Sequence, residues 1–296
     1  MKRICLKISS IIFFVMTLLV AAKSFGQDKN PNLITTKEHT IKSSFNQKFY
    51  QLYVSLPKAY SAVDTIHYPV LYVLDGKFSF TSFYSIREVL NLGKEIKDVI
   101  IVAIENSVQT DADWFAERYY DFTPSSIPGS DIQWTKMMSI PDGKLRSGGA
   151  DLFLTTLQKD ILPFMDKHYK TNTDRALSGH SLGGLFAGYC LLKKPELFKR
   201  YGINSPSFWW NNNEILSLKD PLSKENSPVS ANVFFSVGAL EGEMMVGPLT
   251  AFIDSLKKHN SGITMTSQIF EGETHLSVVP ACSSRTLKVL YGANVK

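Results

Sequence analysis

The chain is poor in cysteine, with three residues among 296. So few thiols exclude a disulfide-rich scaffold and a zinc site built from paired cysteines. Cys190 and Cys282 lie beyond the N-terminal region, and the sequence leaves open whether they pair. No group of histidine and carboxylate residues has the spacing of a metal site either. We therefore expect neither a metal nor any other cofactor.

Long hydrophobic runs, internal repeats and low-complexity tracts are also absent from the sequence. The apolar run at 11–22 is shorter than the ~20 residues that a membrane-spanning helix needs. Basic residues precede this run, and the small residues Ser24 and Gly26 follow it, which is the pattern of a secretory signal. We expect cleavage before Gln27, an exported protein that is periplasmic or secreted, and no stable membrane insertion afterwards. A membrane anchor is the alternative.

An excess of one charge sign is lacking outside that segment. The chain has 32 Lys and Arg against 27 Asp and Glu, a formal net charge of +5. Four of the cations, and no acidic residue, fall within 1–26: Lys2, Arg3, Lys7 and Lys23. Removing those four charges from +5 leaves +1 for residues 27–296. This balance gives no support for a nucleic-acid partner or an anionic membrane surface.

Two kinds of apolar segment alternate along residues 27–296. Short apolar or alternating runs predict strands at 49–56, 69–74, 99–104, 201–204, 232–237 and 263–270. Helical spacing predicts helices at 149–169, 185–192, 252–258 and 287–291. Pro163 is expected to kink the first of these helices. The alternation predicts a single α/β domain with a mostly parallel, twisted sheet and helices on both faces.

The segment 105–148 fits neither pattern. It is rich in turn-forming and aromatic residues, the latter including Trp114, Phe115, Tyr119, Tyr120, Phe122 and Trp134. An irregular segment of this length inside a compact domain is usually functional, and its aromatic content argues against disorder. We expect a lid, or a wall, over the functional site.

The most informative motif is Gly-His-Ser-Leu-Gly-Gly at 179–184, between a predicted strand and a predicted helix. A serine flanked in this way is typical of a nucleophile elbow, a strained turn that exposes the serine hydroxyl at the end of a sheet. Side chains at Gly179 and Gly183 are expected to collide where strand and helix cross. The motif predicts Ser181 as a nucleophile, with a plain glycine-serine turn as the alternative.

A serine nucleophile needs a base, and the base needs a group that orients it. In this type of site the chain order is serine, acid, histidine. His275 follows the last predicted strand and is the expected base, whereas His259 lies at the polar end of a helix. Glu241 follows the preceding strand and is the expected acid, with Glu243 as the alternative. A serine-histidine dyad without a carboxylate also stays open.

A serine that attacks a carbonyl group further needs two N–H donors for the developing oxyanion. The Leu182 N–H, directly after Ser181 at a helix start, is the first candidate. The Lys77 N–H is the second, in the loop after the strand at 69–74, where Gly76 allows a tight turn. A plain turn at Asp75 and Gly76 is the alternative.

Five segments together resemble a known family: 68–76, 179–184, 204–210, 236–241 and 272–275. They are similar to the "Putative esterase" family of α/β-hydrolases. That family includes siderophore trilactone esterases, feruloyl and acetyl-xylan esterases, S-formylglutathione hydrolases and mycolyltransferases. Segments 118–124 and 205–210 most resemble the siderophore-esterase branch. The resemblance implies an α/β-hydrolase fold and a cofactor-free serine esterase that works through an acyl-enzyme.

Three residues are candidates for substrate binding. Arg118, Trp209 and Trp210 would suit flat, partly anionic aromatic groups through stacking and cation–π contacts. The expected partner is a small-molecule ester such as a catecholate siderophore trilactone. A carbohydrate esterase of the feruloyl or acetyl-xylan type is the alternative enzyme, and a non-catalytic binder of an aromatic ligand is the alternative class. The sequence leaves the oligomeric state open.

Overall fold

The computed structural model describes residues 36–63, 65–218, 230–259 and 262–293. The predicted signal segment 1–26 lies outside the described residues. Within them the strands are β1 Lys37–Lys42, β2 Phe49–Ser55, β3 Tyr68–Val73, β4 Ile100–Asn106, β5 Thr171–His180, β6 Arg200–Asn204, β7 Ala231–Gly238 and β8 Ile263–Phe270. The main helices are α1 Gly76–Leu92, α2 Asp111–Phe122, α3 Pro128–Met137, α4 Ala150–Thr156, α5 Leu162–His168, α6 Leu182–Lys193, α7 Glu243–His259 and α8 Val279–Tyr291.

The strands form a single sheet in the order β1-β2-β4-β3-β5-β6-β7-β8. Strand β2 runs antiparallel to β1 and β4, and the other neighbouring pairs are parallel. The predicted mostly parallel sheet is therefore confirmed. In such a sheet the carboxyl ends of the central strands meet at one edge, which is where ligands bind.

Apolar side chains project from both faces of the sheet, as β3 illustrates. Val70 and Tyr72 pack into a core formed with α2, α4, α6 and α7, whereas Leu71 and Val73 pack into a second core with α1 and α8. All four are fully buried. A strand covered on both faces reads as a continuous apolar run, which is why this strand is evident in the sequence.

The helix predicted at 149–169 is interrupted as expected from its proline. Leu157–Ile161 winds as one π-helical turn between α4 and α5. Pro163 then stands in the first turn of α5, directly after this turn. The π-helical turn accommodates the proline, and the apolar side chains on either side of it still face the core.

Half of the segment 105–148 is helical, so the prediction of an irregular segment is wrong for that half. It contains α2 and α3, and α2 is fixed to the sheet. The fully buried Asp121 accepts hydrogen bonds from the Tyr50 hydroxyl at 2.9 Å and from Lys48 Nζ at 2.7 Å. The Thr110 side chain caps α2 by accepting the Asp113 N–H at 3.1 Å.

Helix α1 was not evident from the sequence because a charged residue occupies its buried face. Phe80, Phe83 and Leu90 face the core, but Arg87 lies among them and is 1% exposed. Its guanidinium donates to the Ser55 hydroxyl at 2.7 Å and to the Ser55 carbonyl at 3.0 Å. A buried, hydrogen-bonded arginine breaks the apolar period without breaking the helix.

The two cysteines of the described residues do not form a disulfide. Cys190 and Cys282, on α6 and α8, are both buried and free.

In the described ranges, no helix combines the length and the apolar character needed to cross a membrane.

Strand β5 passes into α6 with almost no space between the two backbones. A Cβ added at Gly179 would lie 2.2 Å from the Gly183 carbonyl oxygen, a backbone atom that cannot give way cheaply. At Gly183 itself the nearest atom would be Asp75 Oδ2 at 3.3 Å, so the expected collision there is much milder. Gly179 therefore sets how closely strand and helix cross.

Gly179→Ala is expected to destabilise the protein by about 3 kcal/mol, since overpacking against backbone forces the strand and helix apart. Gly129→Ala in α3 is the matched control, because a Cβ there would meet nothing within 4 Å. The control should be neutral or stabilising by up to about 1 kcal/mol. Urea denaturation measures both, and equal stabilities for the two variants would contradict the crowding argument.

Candidate active site

Ser181 joins β5 to α6 in a conformation that few side chains adopt. Its φ and ψ are 60° and −120°, in a region unfavourable for a residue with a Cβ. Hydrogen bonds hold the turn: the Ser181 N–H donates to the Asn204 carbonyl at 3.1 Å, and the Ser181 carbonyl accepts the Ser207 N–H at 3.0 Å. The strained turn presents the Ser181 side chain at the carboxyl end of β5.

Ser181, His275 and Glu241 form one hydrogen-bonded line. The Ser181 hydroxyl lies 2.9 Å from His275 Nε2, and His275 Nδ1 lies 2.6 Å from Glu241 Oε2. In this arrangement the imidazole Nε2 accepts from the serine while Nδ1–H donates to the carboxylate. The structure thus brings together three side chains that the sequence places up to 94 residues apart.

The sheet delivers these side chains to one place. Strands β5, β7 and β8 are parallel, so the residues that follow them gather at the same edge. Glu241 ends a short helical turn, Ala239–Glu241, directly after β7, and His275 lies in the loop after β8. The two loops are joined by a hydrogen bond from the Leu240 N–H to the Glu273 carbonyl at 3.0 Å.

The Glu241 side chain is completely buried and fully hydrogen-bonded. Its Oε1 accepts from the Ser205 hydroxyl at 2.6 Å and from the Gly238 N–H at 2.7 Å, and Oε2 accepts from His275. Burial would raise the pKa of Glu241, but these donors outweigh it and the pKa lies below its ordinary value of 4.5. Glu241, rather than the alternative Glu243, is the carboxylate that contacts His275.

A second imidazole lies beside the first. The ring centroids of His180 and His275 are 4.6 Å apart. Burial, with the nearby His275 as a smaller cause, lowers the pKa of His180 to about 3. His180 is therefore neutral at neutral pH and places no positive charge against the base.

The two expected oxyanion donors differ in whether their N–H groups are already hydrogen-bonded. The Leu182 N–H stands at the first position of α6, where no carbonyl of the same helix can accept it. The Lys77 N–H, in contrast, donates to Glu105 Oε2 at 2.7 Å. We expected this N–H to be free, but the buried carboxylate of Glu105 on β4 already accepts its hydrogen bond.

Arg118 pairs with the turn after β3. Its Nε and Nη2 donate to the two carboxylate oxygens of Asp75 at 2.7 and 2.8 Å. The side chain is 9% exposed, and its guanidinium lies over the rings of Trp114 and Phe122 at 5.0 and 5.6 Å. The ion pair fixes the turn after β3, and the expected contact of Arg118 with substrate stays a prediction.

The two tryptophans expected to bind substrate pack against other aromatic residues. Trp210 is 1% exposed and meets the ring of Tyr119 edge-on at 5.3 Å, so it is a core residue rather than a contact surface. Trp209 is partly buried and lies nearly parallel to Trp134, with centroids 6.5 Å apart. Aromatic residues of α2 and α3 thus pack against both tryptophans, and a wall over the site stays a prediction.

Several polar residues around Ser181 and Glu241 were given no role by the sequence analysis. Ser205 donates to Glu241, and the Ser207 hydroxyl lies 3.4 Å from that of Ser181. The buried Asn204 side chain accepts from the Ser236 hydroxyl at 2.7 Å. Asn204, Ser205 and Ser207 belong to a motif that carried the family resemblance, which was the available signal for their importance.

The side chains around this site do not form a metal centre. Among the described residues, no group of three or more His, Cys, Asp or Glu side chains could hold a metal ion.

Comparison with known proteins agrees with this geometry. The "Putative esterase" family model matches residues 43–137 and 142–275. The ferri-bacillibactin esterase BesA of Bacillus subtilis is 29% identical over 276 residues, covering 89% of this chain and 92% of that protein.

Solved structures are similar over most of the chain. The BES protein from Bacillus cereus gives a TM-score of 0.74 at 32% identity, covering 88% of this chain and 96% of that one. An IroE-like serine hydrolase from Shewanella oneidensis gives 0.73 at 25% identity, covering 87% and 80%. The predicted resemblance to the siderophore-esterase branch is confirmed. The chain belongs to the "Putative esterase" family and is an ester hydrolase with an α/β-hydrolase fold.

Proposed function

We propose that this protein is an exported serine esterase that hydrolyses a siderophore ester through an acyl-enzyme, with Ser181 as nucleophile, His275 as base and Glu241 as acid. The observation that carries the mechanism is the hydrogen-bonded line through these residues at 2.9 and 2.6 Å. Export rests on the sequence pattern at 1–26 alone.

Acylation begins when His275 Nε2 takes the Ser181 proton as Oγ attacks the ester carbonyl carbon. The carbonyl oxygen gains negative charge, which the Leu182 N–H and a second donor from the turn at 75–77 stabilise. Since the Lys77 N–H is held by Glu105, it would have to exchange that carboxylate for the oxyanion. His275 then gives its proton to the leaving alkoxide, which departs as an alcohol.

Deacylation repeats the sequence with water. His275 removes a proton from water, hydroxide attacks the acyl carbon, and Ser181 leaves with the proton returned by His275. Throughout, Glu241 stabilises the imidazolium and keeps Nδ1 protonated, so that Nε2 faces the nucleophile. No metal or redox group takes part in these steps.

The relatives support the proposed substrate class. BesA is a ferri-bacillibactin esterase, and it aligns with nearly the whole chain. A catecholate trilactone is the substrate that we propose on this basis, ahead of a feruloyl or acetyl ester of a polysaccharide. Incubation with a catecholate trilactone, in ferric and iron-free forms, and with a feruloylated oligosaccharide tests this choice. Faster turnover of the oligosaccharide would favour the carbohydrate-esterase alternative.

The turn that offers the second donor is held by the Asp75–Arg118 pair. Asp75 has φ 55° and lies between β3 and α1, and Arg118 grips its carboxylate from α2. Asp75 Oδ2 also lies 3.3 Å from where a Cβ on Gly183 would be, so the pair sits against the first turn of α6. The ion pair therefore links the turn at 75–77 to the nucleophile elbow.

Ser181 is expected to react with a fluorophosphonate probe, and Ser181→Ala should abolish labelling and lower kcat by about a millionfold. Ser207→Ala is the matched control, because this buried hydroxyl is the nearest other serine, at 3.4 Å. It should still be labelled. A label that mass spectrometry locates on another residue, or no labelling at all, would favour a binding protein.

Glu241→Gln is expected to lower kcat by about four orders of magnitude, as in other serine hydrolases whose acid is replaced by its amide. Glu243→Gln, at the start of α7, is the control and should retain near wild-type kcat. The reverse result would move the role of acid to Glu243.

The Glu241→Gln variant also tests a pH dependence of stability. The pKa of Glu241 is lowered in the folded protein, so its ionised form stabilises the fold above the ordinary value of 4.5. This contribution should disappear as pH falls through the lower, folded-state pKa. The difference in unfolding free energy between wild type and Glu241→Gln should therefore shrink below about pH 4.5. A difference that is constant from pH 7 to 3 would contradict the assignment.

Arg118→Lys keeps the charge but loses the two-point contact with Asp75, so we expect kcat to fall by about tenfold with little change in KM. Arg146→Lys is the control, since this arginine lies over the Tyr120 ring in the same segment. Steady-state kinetics on a small ester separates the outcomes. A raised KM with unchanged kcat would support Arg118 as a substrate-binding residue.

A further inference from the structure

Ser205, the residue that follows β6, has a backbone conformation that a serine rarely adopts. Its φ is 39°, in the left-handed region that favours glycine. The residue is fully buried and takes no part in the proton transfers proposed above. A strained residue persists only where its surroundings fix it, and such residues are concentrated at functional sites. The contacts of Ser205 therefore indicate what its strain achieves.

Neighbouring segments hold the backbone at Ser205 from two sides. Its N–H donates to the Ser236 carbonyl of β7 at 2.7 Å. A Cβ added at Gly184, in the first turn of α6, would lie 2.8 Å from the Asn204 carbonyl oxygen and 3.0 Å from Pro206 Cα. The helix thus packs tightly against the residues on either side of Ser205, so the backbone there has little space in which to relax.

The same segment holds the nucleophile elbow. The Asn204 carbonyl accepts the Ser181 N–H at 3.1 Å, and the Ser207 N–H donates to the Ser181 carbonyl at 3.0 Å. The first and last residues of the segment 204–207 are therefore both bonded to the backbone of Ser181. Ser205 lies between them, so its side chain is fixed relative to the proposed nucleophile.

The Ser205 hydroxyl connects this segment to the proposed acid. It donates to Glu241 Oε1 at 2.6 Å and shares that oxygen with the Gly238 N–H at 2.7 Å. Gly238 stands three residues before Glu241 in the turn after β7, so it moves with the acid, whereas Ser205 belongs to the segment that holds the elbow. Ser205 is thus the scaffold donor that fixes the carboxylate relative to Ser181.

We propose that Ser205 is a positioning residue, whose strained backbone aims its hydroxyl at Glu241 and so holds the carboxylate, and with it the His275 imidazole, in line with Ser181. The inference deepens the proposed function and rests on it, because Ser205 acts on the reaction only through Glu241.

Two substitutions separate the hydroxyl from the strain. Ser205→Ala removes the hydroxyl and keeps a Cβ at positive φ, whereas Ser205→Gly removes both. On a small ester each should lower kcat by about tenfold with little change in KM, because a hydrogen bond to a buried charge is lost. Ser205→Gly should be the more stable of the two in urea, since glycine adopts this φ without strain. Wild-type kcat in Ser205→Gly would overturn the proposal.

Ser283→Ala is the matched control for loss of a buried serine hydroxyl. Ser283 is 2% exposed, but its hydroxyl donates to the Val279 carbonyl of its own helix at 2.8 Å, so this variant should keep the wild-type kcat.

A double-mutant cycle tests whether Ser205 acts through Glu241. In the Glu241→Gln protein, Ser205→Ala should lower kcat by less than about twofold, because residues that act as a unit are not additive. A loss of about tenfold in that background, equal to the loss in wild type, would overturn the proposal.

A second measurement detects the contact without turnover. Burial raises the pKa of Glu241, and the hydrogen bonds from His275 and then from Ser205 lower it. Loss of the Ser205 hydroxyl should therefore raise this pKa, so the stabilising contribution of the ionised carboxylate should disappear at a higher pH in Ser205→Ala than in wild type. Urea denaturation of each protein and of its Glu241→Gln derivative gives this contribution at each pH.

Three other titratable groups interact with Glu241. His275, in the loop after β8, is present in every protein compared. Burial lowers the pKa of His180 to about 3 and raises that of Cys282, on α8, to about 12. Neither of these two groups changes its charge between about pH 4 and pH 7, so a shift in that range reports on the carboxylate.

An unchanged pH dependence in Ser205→Ala would overturn the proposal, as would a wild-type kcat in that variant. Failure of the proposed function looks different, because the wild-type protein would then neither hydrolyse an ester nor react with a fluorophosphonate. In that case a pH shift in Ser205→Ala that is absent from Ser283→Ala would keep Ser205 as the residue that fixes Glu241 and would remove its link to catalysis.

Discussion

The proposed catalytic arrangement depends on a single buried carboxylate. The Glu241 side chain has no access to water, so its negative charge is tolerated only because three donors meet its two oxygens. Two of these donors belong to the scaffold, and the third is the imidazole of His275. The charge therefore orients this imidazole, the proposed base: turning the ring away would leave a buried charge with one donor fewer, which is costly.

The scaffold around this carboxylate also maintains the strain at Ser181. The backbone of β6 and of the residues after it holds the elbow from one side, through Asn204 and Ser207. The same segment supplies Ser205 to Glu241. One stretch of chain thus supports both the proposed nucleophile and the proposed acid, while the Asp75–Arg118 pair lies against Gly183 in the first turn of α6.

How much of this could be predicted depends on whether the signal is local. Strands buried on both faces, such as β3, are evident as apolar runs. The elbow is evident because a residue with a Cβ at position 179 would collide with the backbone of Gly183. Chain order after the elbow was enough to select Glu241 and His275. Helix α1 was missed because Arg87 is buried where the pattern requires an apolar residue, and α2 because its cap at Thr110 stands in a polar loop.

Two hydrogen-bond partners at the site could not be predicted, and the cause is the same, since both lie far away in sequence. Nothing near Arg118 indicates that Asp75, 43 residues away, pairs with it. The Lys77 N–H was assumed free because Glu105 lies on another strand. Which of these groups pair is determined by how the strands and helices are arranged in space. A short sequence motif carries no information on that arrangement.

The hydrogen bond between Leu240 and Glu273 has a consequence for the proposed acid and base. It joins the loop after β7 to the loop after β8, one residue before Glu241 and two before His275. The carboxylate and the imidazole are therefore tethered to each other by the backbone as well as by their own hydrogen bond, whereas the imidazole reaches Ser181 through a side-chain contact.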